Sequence, residues 1–109
     1  MNNPPAISIV LCTYNNADSL SITLNQLISQ CDADGKIEII VVNNNSNDHT
    51  ADVCKTITQS SKIPFHSLFE ERQGLSHARN TGVAKSSGQY ILFTDDDAEL
   101  PNDWAAQYL

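Results

Sequence analysis

Glycine and proline are scarce, 4 of each in 109 residues, which excludes a collagen-like repeat and a low-complexity disordered chain. The glycines also fall outside phosphate-cradling patterns: neither GxGxxG nor GxxxxGK followed by Ser or Thr occurs, and there is no GxSxG elbow. A dinucleotide-binding dehydrogenase, a P-loop enzyme and an α/β-hydrolase are therefore disfavoured. Basic residues are few, 6 against 13 acidic, for a net charge of -7. They are scattered as Lys36, Lys55, Lys62, Arg72, Arg79 and Lys85, which argues against a nucleic-acid backbone or an anionic lipid surface as partner. An anionic ligand of this chain should bring a cation with it.

Cysteine is limited to Cys12, Cys31 and Cys54, an odd number without CxxC spacing. That pattern gives neither a disulfide framework nor a zinc knuckle, and it points to buried structural thiols in a reducing, cytoplasmic compartment. His49, His66 and His77 lack the spacing of metal ligands. No apolar run approaches the ~20 residues of a membrane span, and Met1 to Pro5 shows no basic-then-apolar leader. What remains is a chain with 40% hydrophobic residues, long enough for one core and one domain.

Periodicity alternates between strand and helix. Ile7 to Cys12 is a near-continuous apolar run, as in a strand buried on both faces. Asn16 is placed to cap a helix carrying Leu20, Leu24, Leu27 and Ile28 at helical spacing, with Asp18 near its positive end; Asp34-Gly35 reads as the turn that follows. Ile37 to Val42 is a second β-branched run, which stops in the polar string Asn43 to Asp48. A second helix from about His49, capped by Asp48 or Asn47, places Ala51, Cys54 and Ile57 on one face. A short strand over Phe65 to Phe69 follows, then a helix over about Leu75 to Ser86 with Leu75, Ala78, Gly82 and Val83 inward. Tyr90 to Thr94 is the fourth strand, and Pro101 is suited to the first turn of a last helix bearing Trp104 and Tyr108. This β-α-β-α-β-α-β order predicts an α/β fold: an open, mainly parallel Rossmann-like sheet with helices on both faces. Ligands of such sheets bind beyond the carboxyl ends of the strands, where strand order reverses. With the order 3-2-1-4, Thr13 and Tyr14 face the aspartates across that crevice.

Asp95, Asp96 and Asp97 stand where the fourth strand ends. Three adjacent carboxylates repel one another unless a cation sits among them. Hard oxygen ligands suit Mg²⁺ or Mn²⁺, which are commonly shared between one or two carboxylates and a substrate's phosphates. In an extended turn Asp95 and Asp97 point one way and Asp96 the other; a solvated acidic turn is the simpler alternative. Arg79, on the third helix among apolar neighbours, calls for an anionic partner: Glu70, Glu71 or an aspartate, or else a phosphate in the cleft. Tyr14 serves either ordinary packing or an aromatic wall against a nucleobase.

Three segments, SIVLCTYNN (Ser8 to Asn16), EIIVVNNNSNDHT (Glu38 to Thr50) and ERQGLSHARNTGVAKSSGQYILFTDDDAELPNDW (Glu70 to Trp104), together resemble the N-terminal, nucleotide-sugar-binding half of a family 2 glycosyltransferase of the GT-A fold. The resemblance implies one partial domain over residues 1–109, with the acceptor-binding half absent. It implies a nucleotide-diphosphate sugar as donor, UDP-linked by family habit, and inverting transfer to an acceptor hydroxyl on a glycan, lipid or protein. Thr13, Tyr14 and Asn15 match the base-contacting segment. Asn43 and Asn44 stand where the family commonly has aspartates contacting uracil or ribose, and an amide both donates and accepts there. Arg79 matches the arginine of the family's ArN segment, near the diphosphate. Asp95-Asp96-Asp97 matches the DxD motif, with Asp97 and Asp95 toward Mg²⁺ or Mn²⁺ and Asp95 and Asp96 toward the nucleotide. No residue here matches the catalytic base, expected downstream of Leu109. In a full-length parent the resemblance places the domain at the cytoplasmic face of a membrane. A non-catalytic nucleotide-binding or interaction module is the alternative, and the unpaired edge of the fourth strand suggests a homo-oligomer.

Overall fold

The computed structural model describes residues 4–109; Met1, Asn2 and Asn3, part of the segment read for a leader, lie outside the described residues. The chain alternates β1 (Ile7–Thr13), α1 (Ala17–Gln30), β2 (Ile37–Asn43), α2 (Thr50–Ser60), β3 (Phe65–Phe69), α3 (Leu75–Lys85) and β4 (Tyr90–Asp95). The four strands form one parallel sheet in the order β3-β2-β1-β4. β1 and β2 are central, and their continuous apolar runs have the reason anticipated, since helices cover both of their faces.

On one face Ile7, Ile9 and Leu11 of β1 and Ile37, Ile39 and Val41 of β2 meet Leu20, Leu24 and Leu27 of α1 and Cys54 and Ile57 of α2. On the other, Val10, Ile40 and Val42 pack with Ala78 of α3. The α3 backbone lies close because residue 82 is glycine: a Cβ there would stand 2.5 Å from Val10 Cγ1. Only two α3 residues, Ala78 and Gly82, are buried. Leu75 and Val83, expected inward, are 54% and 41% exposed, because α3 lies over β1 and β2 and leaves β4 uncovered beside it. Ala51 likewise faces solvent, and the buried face of α2 runs through Thr50, Cys54 and Ile57.

The capping differs from the sequence expectation. Asn16 occupies the N-cap of α1 but makes no capping hydrogen bond with its side chain. Asp48, 31 residues on, accepts the Ala17 N–H at 3.2 Å through Oδ2 and the Thr50 N–H at 3.0 Å through Oδ1. One carboxylate therefore serves the N-termini of both α1 and α2, a favourable place for negative charge. The hydrogen bond from the Thr50 hydroxyl is the first cause that holds the Asp48 carboxyl below its ordinary range, joined by the two N–H groups. The chain end is also tighter than expected. After Pro101 it forms turns and a single 3₁₀ segment, Ala106–Tyr108, with the Trp104 and Tyr108 rings edge to face at 5.8 Å.

Candidate functional site

Parallel pairing puts the carboxyl ends of all four strands in one row: Thr13 pairs with Asn43 and Asn43 with Phe69, while Cys12 pairs with Asp95. Three loops leave this row and lock together. Asn15, at φ 47°, and Asn45, at φ 64°, both adopt the left-handed conformation, which asparagine tolerates better than most residues. The turn at Asn15 lets its N–H donate to Ser46 Oγ (2.9 Å) while its Oδ1 accepts the Asn47 N–H (2.8 Å). Asn43 Oδ1 accepts the Ser46 N–H at 3.1 Å, and Asn44 N donates to the Thr13 carbonyl at 2.8 Å.

The three aspartates divide their roles. Asp96 turns inward: Oδ2 accepts from the Thr13 hydroxyl (2.8 Å) and Oδ1 from Asn16 Nδ2 (3.0 Å), and the Asp96 carbonyl accepts from the buried Thr23 hydroxyl of α1 (2.9 Å). Thus β1 and α1 grip the turn from beneath. Asp95 and Asp97 stay exposed, and among the described residues their carboxylates have neither a hydrogen-bonding nor an ionic partner. The alternation expected of an extended turn is present; the partners that enforce it, Thr13, Asn16 and Thr23, were not readable from the triplet alone.

Arg79 is exposed rather than buried among apolar neighbours. Its guanidinium lies 5.6 Å from the centre of the Phe93 ring, a cation–π arrangement that orients the group without neutralising it. Among the described residues no carboxylate comes within ion-pairing distance of it; Glu70 pairs instead with Arg72 at 2.8 Å. Arg72's side-chain hydrogen bonds, then those from the Thr81 hydroxyl and the Arg72 N–H, hold the Glu70 carboxyl far below the usual carboxylate range. Cys12 marks how near the charges lie to one another. Burial pushes its thiol up, Arg79 opposes this, and Asp95 and Asp96 add to it. All three cysteines are free, and burial likewise raises the Cys31 and Cys54 thiols.

Between the β1 end and the loop entering α3 is a cavity of about 210 Å³, lined by Cys12, Thr13, Tyr14, Asn44 and the stretch from Gln73 to Leu75. Tyr14 is 51% exposed, so its ring is a wall and not core packing. At the opposite end of the sheet, a cavity of about 1010 Å³ includes Glu38 and Ser87 in its lining, and the Glu38 carboxylate there is engaged by protein partners. Burial raises the Glu38 carboxyl. The Ser8 hydroxyl, the Ser87 N–H and hydroxyl and, 3.3 Å away, His66 outweigh that and leave it lowered overall. Sequence reading passed over Glu38 because one acid within a β-branched run carries no signal of its neighbours.

A parallel α/β sheet carries an acidic turn, an exposed arginine and a cavity beside Tyr14 at its carboxyl edge, the place where domains of this class bind ligands. Residues 8–109 match the Glycosyl transferase family 2 pattern, and the chain belongs to that family. It is 32% identical over 100 residues to the glycosyltransferase AglE of Haloferax volcanii, covering 92% of this chain and 33% of the relative. Its fold superposes on the mannosyltransferase PcManGT of Pyrobaculum calidifontis, solved with GDP-Man and Mn²⁺, with a TM-score of 0.86 and 26% identity over 98% of this chain and 33% of that one. S. aureus TarS 1-349 with UDP-GlcNAc shares the fold at a TM-score of 0.80 and 23% identity, over 93% of this chain and 29% of that one. The chain thus spans about a third of the length of these proteins.

Proposed function

We propose that this chain is the donor-binding part of a glycosyltransferase and binds a nucleotide-diphosphate sugar together with Mg²⁺ or Mn²⁺, for inverting transfer to an acceptor hydroxyl. The observation that carries the reading is the inward anchoring of Asp96, which leaves Asp95 and Asp97 without a side-chain partner among the described residues, at the end of the strand whose Phe93 lies under Arg79. The donor set fits a hard divalent ion. Among the described residues no cluster of three or more His, Cys, Asp or Glu forms a complete cage, and two carboxylates completed by a diphosphate is an ordinary arrangement for Mg²⁺.

Asp97 would hold the ion, with Asp95 supporting it or contacting the ribose. A bound divalent ion would supply Lewis-acid stabilisation of the negative charge that develops on the departing diphosphate. Arg79, oriented by Phe93, adds a second positive group on the same side. The cavity beside Tyr14 receives the base, with Cys12 and Thr13 in its lining; Asn15 serves it from outside by holding the 46–48 loop. UDP is the first candidate, although relatives of this fold are known with either GDP-Man or UDP-GlcNAc. The base that deprotonates the acceptor belongs to polypeptide outside these residues.

The test is calorimetric titration with UDP, GDP and a UDP-sugar, with and without Mn²⁺, repeated on Asp97→Ala. Metal-dependent binding that the substitution abolishes is expected; metal-independent binding, or binding the substitution leaves intact, would overturn the reading.

A further inference from the structure

Asn44 lies one residue beyond β2 and is only 5% exposed. Its amide is almost fully engaged. Nδ2 donates to the carbonyl oxygens of Glu70 (3.0 Å) and Arg72 (2.8 Å), and Oδ1 accepts the Gly74 N–H (3.0 Å). An asparagine amide has two N–H donors and one carbonyl oxygen, so both donors and one acceptor position are occupied. All three partners belong to the loop that joins β3 to α3, residues 70–74. That loop is the wall of the 210 Å³ cavity facing Thr13 and Tyr14. Its outer side is fastened separately, because the Glu70 carboxylate accepts from Arg72 and from the Thr81 hydroxyl of α3 (2.6 Å).

We propose that Asn44 is a positioning residue that sets the width of this cavity by clasping the 70–74 loop, so that discrimination between nucleobases depends on a side chain that does not touch the base. The inference rests on the donor-binding reading of the cavity. It accounts for the amide at this position: a carboxylate would offer no donor to the two carbonyls and would repel them, and alanine would leave them unpaired. With the clasp gone the wall can move, and a cavity of variable width distinguishes poorly between a pyrimidine and a purine.

The experiment compares Asn44→Asp and Asn44→Ala with the parent protein. Amide exchange at Gly74 is followed by NMR in nucleotide-free protein, and affinities for UDP, GDP and ADP are measured with Mn²⁺. Exchange at Gly74 about tenfold faster is expected in Asn44→Ala, which removes its acceptor, and a smaller increase in Asn44→Asp, which keeps an acceptor but repels the two carbonyls, with amides of β1 unchanged in both. Affinity for the preferred nucleotide falls about tenfold and that for the others by much less, so the ratio between them collapses toward one. Unchanged exchange, or an equal loss for all three nucleotides, would overturn the inference while leaving the donor site standing. A parent protein that binds none of them overturns the donor reading, and the inference with it. Should both Asn44 variants fail to fold, Thr81→Val loosens the same loop from its outer side; retained discrimination in that variant, despite faster Gly74 exchange, counts against the proposal.

Discussion

Two neighbouring aspartates of the same chemistry should respond oppositely to mutation. Asp96→Ala removes the acceptor of the Thr13 hydroxyl and the Asn16 amide and should lower unfolding free energy by about 1–3 kcal/mol, read from urea melts at neutral pH. Asp97→Ala removes like-charge repulsion and no protein partner, so its melt should hold or improve while metal-dependent nucleotide binding disappears. Acid should expose a second set of residues. The Glu38 and Glu70 carboxyls both lie below their ordinary range in the folded protein, so the unfolded chain binds their protons first as pH drops. Their stabilisation is complete above the ordinary carboxylate pKa of about 4.3 and is lost as pH falls through the depressed values. Unfolding free energy should therefore decline steadily below about pH 4.5, and Glu38→Gln should flatten part of that slope. At this scale the sequence was legible in kind more than in role. The acidic triplet, Tyr14, Arg79 and the Asn43-Asn44 pair all stand at the strand ends. What each side chain grips depends on partners as far off as 83 residues, and no local spacing encodes that.

At the scale of elements, the strands and helices were largely readable because β1 and β2 are continuous β-branched runs and α1 carries a regular leucine stripe. The strand order 3-2-1-4 entered the sequence reading as a condition, and the sheet has it. The face of α3 was not readable, for a physical reason: its contact with the sheet is made by Ala78 and Gly82, small residues that leave no hydrophobic periodicity. The same closeness predicts a sharp effect. Gly82→Ala introduces a methyl 2.5 Å from Val10 Cγ1, and Val10 is fully buried between strands and helix. Overpacking of this kind costs about 1–3 kcal/mol, and a thermal melt of the variant should show it. Gly88→Ala should be worse, since its Cβ would meet the Ser8 nitrogen at 2.6 Å, and backbone has less room to yield than a side chain.

Taken whole, the molecule is half-dressed. Helices cover β1 and β2 on both faces, whereas β4 is an edge strand with Tyr90 62% and Phe93 46% exposed, next to the exposed Val83 of α3. Apolar edges of this kind favour pairing with further chain. The 109-residue chain on its own should self-associate with rising concentration in sedimentation runs, and Tyr90→Lys should shift it toward monomer; a parent chain that stays monomeric at every concentration would refute this edge-pairing view. Asp48 carries a consequence for how such molecules are assembled and reshuffled. Because it completes the helix of the first βα unit from the far side of the second, the first unit is not a self-sufficient module. A peptide of residues 1–35 should show little helicity by circular dichroism. Any recombination that swaps the first βα unit between homologues should fail unless the crossover is placed beyond residue 50, so that helix and distant cap are inherited together.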